Sequence, residues 1–459
     1  MPDPRIPRLE LLLRERGLLT AREIAAALGI SQPTVSRTIA AAPRILRIGR
    51  ARATRYALLR DVARAGHRWP LYRLDAQQRT EQLGELRALA GGGFHFEPAR
   101  PLPAFLHGEF ADGLFPGLPW FLDDQCPQGF LGRAFARRLA ADIGAPEDLA
   151  RWGTDDVLLA LLQHGQDLPG DLLLGERALR SAARQALDGA GALPVAQRAE
   201  RYPALAEAAL RGDPVGSSAG GEQPKFVVRL DPGDGTVREA IVKFSEAGDA
   251  PAAQRWADLL RCEAIAGDVL RAHGVAAAQS SILVAGGRTF LESIRFDRTP
   301  DGGRRGFVSL AALDAAFHGH GRIDWWRYAP QLEREGWINA DAARRLAVLG
   351  WFGALIANSD MHLGNAGLVL DDRRPLALAP AYDMLPMLFR PAVSGEVVAR
   401  PFEVSPPLPE QRAEWSIAAR AAAEFWRRIA DTGEIGKAFR SIAASAAAQI
   451  DRVRSRHGD

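Results

Sequence analysis

Lysine is almost missing from this chain of 459 residues: Lys225, Lys243 and Lys437 are the only three among 58 basic side chains. Cysteine is scarcer still. Cys126 and Cys262 lie far apart, which excludes a disulfide framework or a thiolate zinc cluster. No apolar run approaches the ~20 residues needed to span a bilayer, so no membrane partner is expected. The opening Met1-Pro-Asp-Pro-Arg-Ile-Pro7 lacks the charged-then-apolar pattern of a secretory signal. Histidines 164, 318 and 320 have no cysteine or carboxylate at ligand spacing and read as structural or surface residues. Repeats and low-complexity tracts are also absent. These absences predict a cytoplasmic protein.

The shortage of lysine is informative in itself. A general drift toward arginine accounts for most basic positions, so those that remain lysine are candidates for chemistry that arginine cannot mimic, such as a compact ammonium on a phosphate. Lys437 reads as a chance survivor. Lys225 and Lys243 flank one predicted hairpin and do not.

What is present is ordinary for a globular protein, with 47% hydrophobic and 25% charged residues. At ~150 residues per domain the length suggests about three units. The net charge of +3 is unevenly placed: residues 1–60 hold twelve arginines against Asp3, Glu10, Glu15 and Glu23. A basic module on a near-neutral body suggests a localised polyanion contact. Leu9, Leu12 and Leu13 make one face of a helix from about Arg8 to Arg16. Thr20-Ala-Arg-Glu23 is a capping box that opens a second helix, closed by Gly29. Ser31 caps a third over Gln32–Ala41, with Val35 and Ile39 inward and Gln32, Thr34, Ser36 and Arg37 free for base edges and phosphates. Residues 44–56 alternate as a hairpin turning near Gly49, with Arg50 and Arg52 toward its tip. This is the pattern of a winged helix-turn-helix, and it predicts double-stranded DNA as a partner.

Residues 61–200 are hard to read beyond helices near Gly132–Ala141 and Asp155–Gln163. From residue 212 the pattern sharpens. A small-residue loop over Gly216–Gly221 is followed by strands at Phe226–Leu230 and Arg238–Phe244, the second carrying Ala240-Ile-Val-Lys243. A helix over Ala253–His273 offers Glu263, and with lower weight Asp258, to orient Lys243. Strands follow at Ser281–Ala285 and Arg288–Ser293, then mostly helix. The helical part is interrupted by Asn358-Ser-Asp-Met-His-Leu-Gly-Asn365 and a hairpin ending near Asp383. Phosphoryl transfer to a hydroxyl needs such a set: Asp360 to position the hydroxyl, Asn365 and Asp383 to hold Mg2+ on the phosphates of ATP. His362 reads as a brace for the loop. Loop, lysine, acid, Asp-Asn and distal Asp in that order predict an α+β, bilobal protein-kinase-like fold behind the N-terminal module. The division expected is 1–60, then 61–290 for an N-terminal subdomain and ATP-binding β-rich lobe, then 291–459 for a helical lobe.

Ser217-Ser-Ala-Gly-Gly-Glu-Gln-Pro-Lys225, Glu292-Ser-Ile-Arg-Phe-Asp-Arg298, the Asn358–Asn365 string and Leu378-Ala-Pro-Ala-Tyr-Asp383 resemble the motifs of the HipA family, kinase toxins of bacterial toxin–antitoxin modules. Trp120-Phe-Leu-Asp-Asp-Gln-Cys-Pro-Gln-Gly129 resembles its N-terminal subdomain. The fused helix-turn-helix is similar to the YjjJ-type branch. The resemblance spans roughly residues 90–440. It implies a serine/threonine kinase using ATP and Mg2+, with Asp360 and Lys243 catalytic and Asn365 and Asp383 on the metal. It also implies nucleotide contacts from Ser217, Ser218, Gly220, Gly221, Lys225, Glu292 and His362. In studied relatives the target is an aminoacyl-tRNA synthetase, and autophosphorylation of a serine beside the loop, here Ser217 or Ser218, switches the kinase off. The loop here is one residue longer than the family's usual S-x-A-G-A-Q-x-K. Dimerisation is left open. A second function class is a DNA-binding transcriptional regulator whose kinase fold senses nucleotide without turnover. A metal-dependent nuclease centre at Asp360, His362 and Asp383 is a third.

Overall fold

The computed structural model describes residues 3–187, 191–213 and 223–457. At the N-terminus, local signals act as the sequence suggests. Thr20 Oγ1 accepts from the Glu23 amide at 3.3 Å, and the Glu23 carboxylate accepts from the Thr20 amide at 2.7 Å, opening the Ala21–Leu28 helix. Gly29 ends it at φ +65°, a left-handed turn that costs glycine little. Ser31 caps the Gln32–Ala40 helix through the Thr34 amide, one residue shorter than expected. With the Ile6–Arg16 helix these elements bury Leu9, Leu13, Ile24 and Val35, and Ile45–Ile48 pairs antiparallel with Arg55–Leu58.

This unit is joined firmly to the body of the protein. Leu59 bridges to Leu89, and the Ala90 amide donates to Leu58 O at 2.8 Å. Arg60 makes a bidentate pair with Asp155 at 2.5 and 2.9 Å.

Residues 68–174 build a five-stranded sheet in the order Leu114–Phe115, Phe94–Pro98, Thr80–Ala88, Arg68–Leu74, Leu172–Leu174. Its strands escape a period-2 reading for physical reasons. Arg68–Leu74 contains Pro70, has a bulge between Leu71 and Tyr72, and buries Arg73 against Asp171 at 3.1 Å and Asp372 at 2.6 Å. A second sheet runs Ser280–Ala285, Arg288–Ile294, Arg238–Phe244, Lys225–Asp231, Leu193–Pro194, with its own core around Tyr202, Phe226, Phe244 and Phe290. The strand Arg288–Ile294 crosses position 290, so the expected boundary there cuts a hydrogen-bonded strand. The 68–174 sheet shares its hydrophobic core with the helices Ala340–Leu355, Arg412–Asp431 and Lys437–His457, while the second sheet has a core of its own. The class is α+β. Among the described residues no helix is long and apolar enough to cross a membrane.

Candidate active site

Lys243 lies on the strand Arg238–Phe244, opposite Leu291 on one side and Lys225 on the other. The Pro251–Ala272 helix brings Glu263 to it: Lys243 Nζ donates to Oε1 at 2.7 Å and Oε2 at 2.9 Å. Asp258 is not a second partner. It lies more than one turn back on the helix and accepts from the Gly436 amide at 3.0 Å. The third member is Asp383, whose Oδ1 also accepts from Lys243 Nζ. Two carboxylates thus share one buried ammonium. Burial opposes the charge on Lys243, but Asp383 and Glu263 together hold its pKa above the ordinary lysine value. Burial likewise works against Asp383, yet Lys243 and Lys225 hold its carboxyl below the usual range. At Glu263 burial outweighs the pull of Lys243, and its carboxyl sits above the usual range.

The loop between residues 358 and 365 is held by its own side chains. Its entry is set by Ala357 at φ +59°, which turns the chain out of the Ala340–Leu355 helix. Asn358 Oδ1 accepts from the Asp360 amide at 3.0 Å, and its Nδ2 donates to Asp383 O at 3.2 Å. Asn365 Nδ2 donates to Asp360 O at 2.8 Å. That bond leaves the carboxamide oxygen of Asn365 as the atom available to a cation. His362 Nδ1 accepts from the Gly364 amide at 3.1 Å, and Tyr382 OH donates to Gly364 O at 2.7 Å. Asp383 itself adopts φ +54°, a conformation that aspartate tolerates better than most residues. Behind the loop, Ser309 pairs with Gly367, and its amide donates to Asp124 Oδ2 at 2.6 Å. Burial pushes the Asp124 carboxyl up to about 6, against the pull of those Ser309 bonds.

Lys225, Lys243, Glu263, His362, Asn365 and Asp383 line one cavity of about 540 Å3. Asp360 stands one hydrogen bond behind it, through Asn365. Glu292 is not brought there. Successive side chains of a strand face opposite ways, so Ser293 reaches the cavity. Glu292 turns to Arg198 at 2.9 and 3.0 Å and to Tyr202 OH at 2.5 Å. Ser217, Ser218, Gly220 and Gly221 lie outside the described residues, as does the side chain of Arg52. Asp124, Arg295, Phe296, Asp297 and Tyr382 also line the cavity but had no role in the sequence reading. The strings Trp120–Gly129, Glu292–Arg298 and Leu378–Asp383 contain all five, but spacing alone assigns them no chemistry.

Among the described residues no group of three or more His, Cys, Asp or Glu could cage a metal. Mg2+ needs no such cage: it takes one or two protein oxygens and fills its shell with phosphate and water. The carboxamide of Asn365 and the carboxylate of Asp383 fit that requirement.

At the N-terminal unit, Gln32, Ser36, Arg37 and Arg50 are exposed and Thr34 is half-buried. Three other arginines are engaged with the protein: Arg44 with Asp61 at 3.1 Å, Arg55 with Asp112 at 2.9 Å, and Arg60 with Asp155. These pairs tie the hairpin to the body, while Arg37 on the third helix and Arg50 at the hairpin turn are exposed, as are Arg8, Arg14, Arg16, Arg22 and Arg47.

A model of the HipA-like C-terminal domain matches residues 217–455, and one of the YjjJ-like toxin middle domain matches residues 65–183. Toxin YjjJ of Escherichia coli (strain K12) is 37% identical over 450 residues, covering 97% of each chain. Putative kinase Y4dM of Sinorhizobium fredii (strain NBRC 101917 / NGR234) is 37% identical over 110 residues, 23% of this chain and 25% of that one. Among solved structures, HipA of Shewanella oneidensis MR-1, in its complex with HipB and operator DNA, aligns over 85% of this chain and 97% of its own. That alignment has a TM-score of 0.49 and 16% identity. The Helicobacter pylori proinflammatory kinase CtkA aligns over 52% of this chain and 90% of its own, with a TM-score of 0.35 and 11% identity. The near full-length match to Toxin YjjJ and the two domain models show that the chain belongs to the HipA-like family, in its YjjJ-type toxin branch.

Proposed function

We propose that this protein is an ATP- and Mg2+-dependent serine/threonine protein kinase whose N-terminal winged helix-turn-helix, residues 1–60, binds double-stranded DNA. The observation that carries the kinase reading is the convergence of Lys243, Glu263, Asn365 and Asp383 on one cavity, with Asp360 bonded to Asn365. In this reading Lys243, steered by Glu263, holds the α- and β-phosphates. Mg2+, held by Asn365 and Asp383, would offset charge on the phosphates. Asp360 orients the substrate hydroxyl and takes its proton as the new O–P bond forms and the bond from the γ-phosphorus to the bridging oxygen of ADP breaks. Family resemblance points to an aminoacyl-tRNA synthetase as the protein target and to Ser217 or Ser218 as an inhibitory autophosphorylation site. The purified full chain with labelled ATP tests this: label should pass to itself or to a lysate protein and stop when Mg2+ is chelated. Absence of transfer would sink the kinase reading.

One observation favours a second reading, a regulator that senses nucleotide without turnover. Asp383, a proposed metal ligand, is engaged by Lys243. Tight ATP binding with no phosphate transfer is its signature.

DNA binding rests on the exposed arginines of the third helix and the hairpin tip. Each phosphate contact contributes to the salt dependence of affinity. Arg37→Ala and Arg50→Ala should therefore each reduce the log–log salt slope by about one, whereas Arg55→Ala, already paired with Asp112, should leave it unchanged. Equal slopes for all three variants would place the DNA surface elsewhere.

A further inference from the structure

The chain passes from the strand-built lobe to the helical lobe through residues 295–307, and Arg295, Phe296 and Asp297 at its start line the cavity. This hinge is gripped by a short segment, residues 166–170, of the middle region (residues 65–183). Arg295 donates to Asp297 at 3.0 and 2.8 Å, and its Nη1 reaches Asp167 Oδ1 at 2.9 Å. Arg298 donates to Leu168 O at 2.9 Å and Gly170 O at 3.1 Å. The Gly170 amide returns a bond to Asp297 Oδ2 at 3.0 Å, and Arg304 donates to Gln166 O. Glu239, from the strand lobe, lies 3.5 Å from Arg295 and 3.2 Å from Arg298.

The charges balance. Arg295, Arg298 and Arg304 face Asp167, Glu239 and Asp297, all three guanidiniums being buried. Arg304 is the least compensated: burial, then the charge of Arg298, push its guanidinium down to about 9. A buried charge cluster of this kind tolerates paired removal far better than loss of one member.

A hinge usually bends by a few unrestrained φ/ψ changes. Here both directions of the backbone at Gly170 and three arginines of the hinge are tied to a third body, packed against the helical lobe. We infer that Asp167 is a positioning residue for nucleotide binding: with Gly170 it pins the hinge to the middle region and so sets the separation of the two cavity walls. This gives the middle region a task in the site, and it rests on the nucleotide-binding reading above. A ligand that must touch Lys243 on one wall and Asn365 on the other depends on that separation, and displacements near 1 Å are enough to weaken such a fit strongly.

The test uses the full chain, titrated with a fluorescent ATP analogue and assayed for phosphate transfer. Asp167→Ala alone leaves a surplus buried charge and could unfold, so the informative pair is Asp167→Ala with Arg304→Gln, against Asp167→Asn with Arg304→Gln. Both are charge-balanced, but only asparagine still accepts from Arg295. The asparagine pair should bind nucleotide within about threefold of wild type. The alanine pair should bind at least about tenfold more weakly, with a matching rise in KM for ATP, kcat at saturating ATP within about threefold, and a melting temperature like that of the asparagine pair. Wild-type affinity in the alanine pair, or equal loss in both pairs, would overturn the inference. A wild-type chain that binds no nucleotide would overturn the functional reading, and this inference with it.

Discussion

Asp360→Asn should lower turnover by about 10²–10⁴-fold, the usual cost of removing a group that acts in the transition state. The substitution is isosteric, and the bonds that place residue 360 run through its backbone: its amide to Asn358 and its carbonyl to Asn365. The loop should therefore keep its shape. Among the described residues none hydrogen-bonds the Asp360 carboxylate, so the substitution breaks no protein contact there. Nucleotide affinity should stay within about twofold, because Lys243 and Asp383 lie on other elements and Asn365 keeps its bond to the backbone carbonyl of residue 360. Phosphate transfer at saturating ATP, measured beside a fluorescent-nucleotide titration, separates the two quantities. Turnover within tenfold of wild type would remove Asp360 from the chemistry.

Lys243→Met should abolish nucleotide binding and cost about 3–5 kcal/mol of stability at pH 7, the penalty for leaving buried charge without its partner. Glu263 and Asp383 both face Lys243 and both would lose it. The loss depends on pH. In the wild type Asp383 is held below its ordinary 3.8, so its pairing stabilises the fold above that value and is lost only in acid. Glu263 already sits above its ordinary 4.5 because burial outweighs the lysine. In the variant both carboxyls rise and take up protons as pH falls toward 5, which relieves the repulsion. The gap to wild type should thus be widest at pH 7 and narrow at pH 5. Urea melts at the two values decide it: an equal gap at both would mean that Lys243 does not carry the carboxylates' charge.

The readable parts of this protein are those whose cause is local. Thr20 with Glu23, Gly29 and Ser31 place the first helices because a cap needs only its neighbours. The hairpin that carries Lys225 and Lys243 arises from alternation around the Asp231–Gly235 turn, and the position of Glu263 from helical spacing. The sheet of residues 68–174 was illegible because its charged positions are satisfied from far along the chain, as Arg73 is by Asp171 and Asp372.

The sequence by itself determined the order of the elements, the retained lysines and the Asp360, Asn365, Asp383 set, since spacing and residue chemistry suffice for those. Only the tertiary structure decided which acids reach Lys243, that Glu292 faces Arg198, and that the middle region holds the hinge. Those outcomes depend on which face of a strand or helix meets a partner distant in sequence, and burial then converts that meeting into charge pairing.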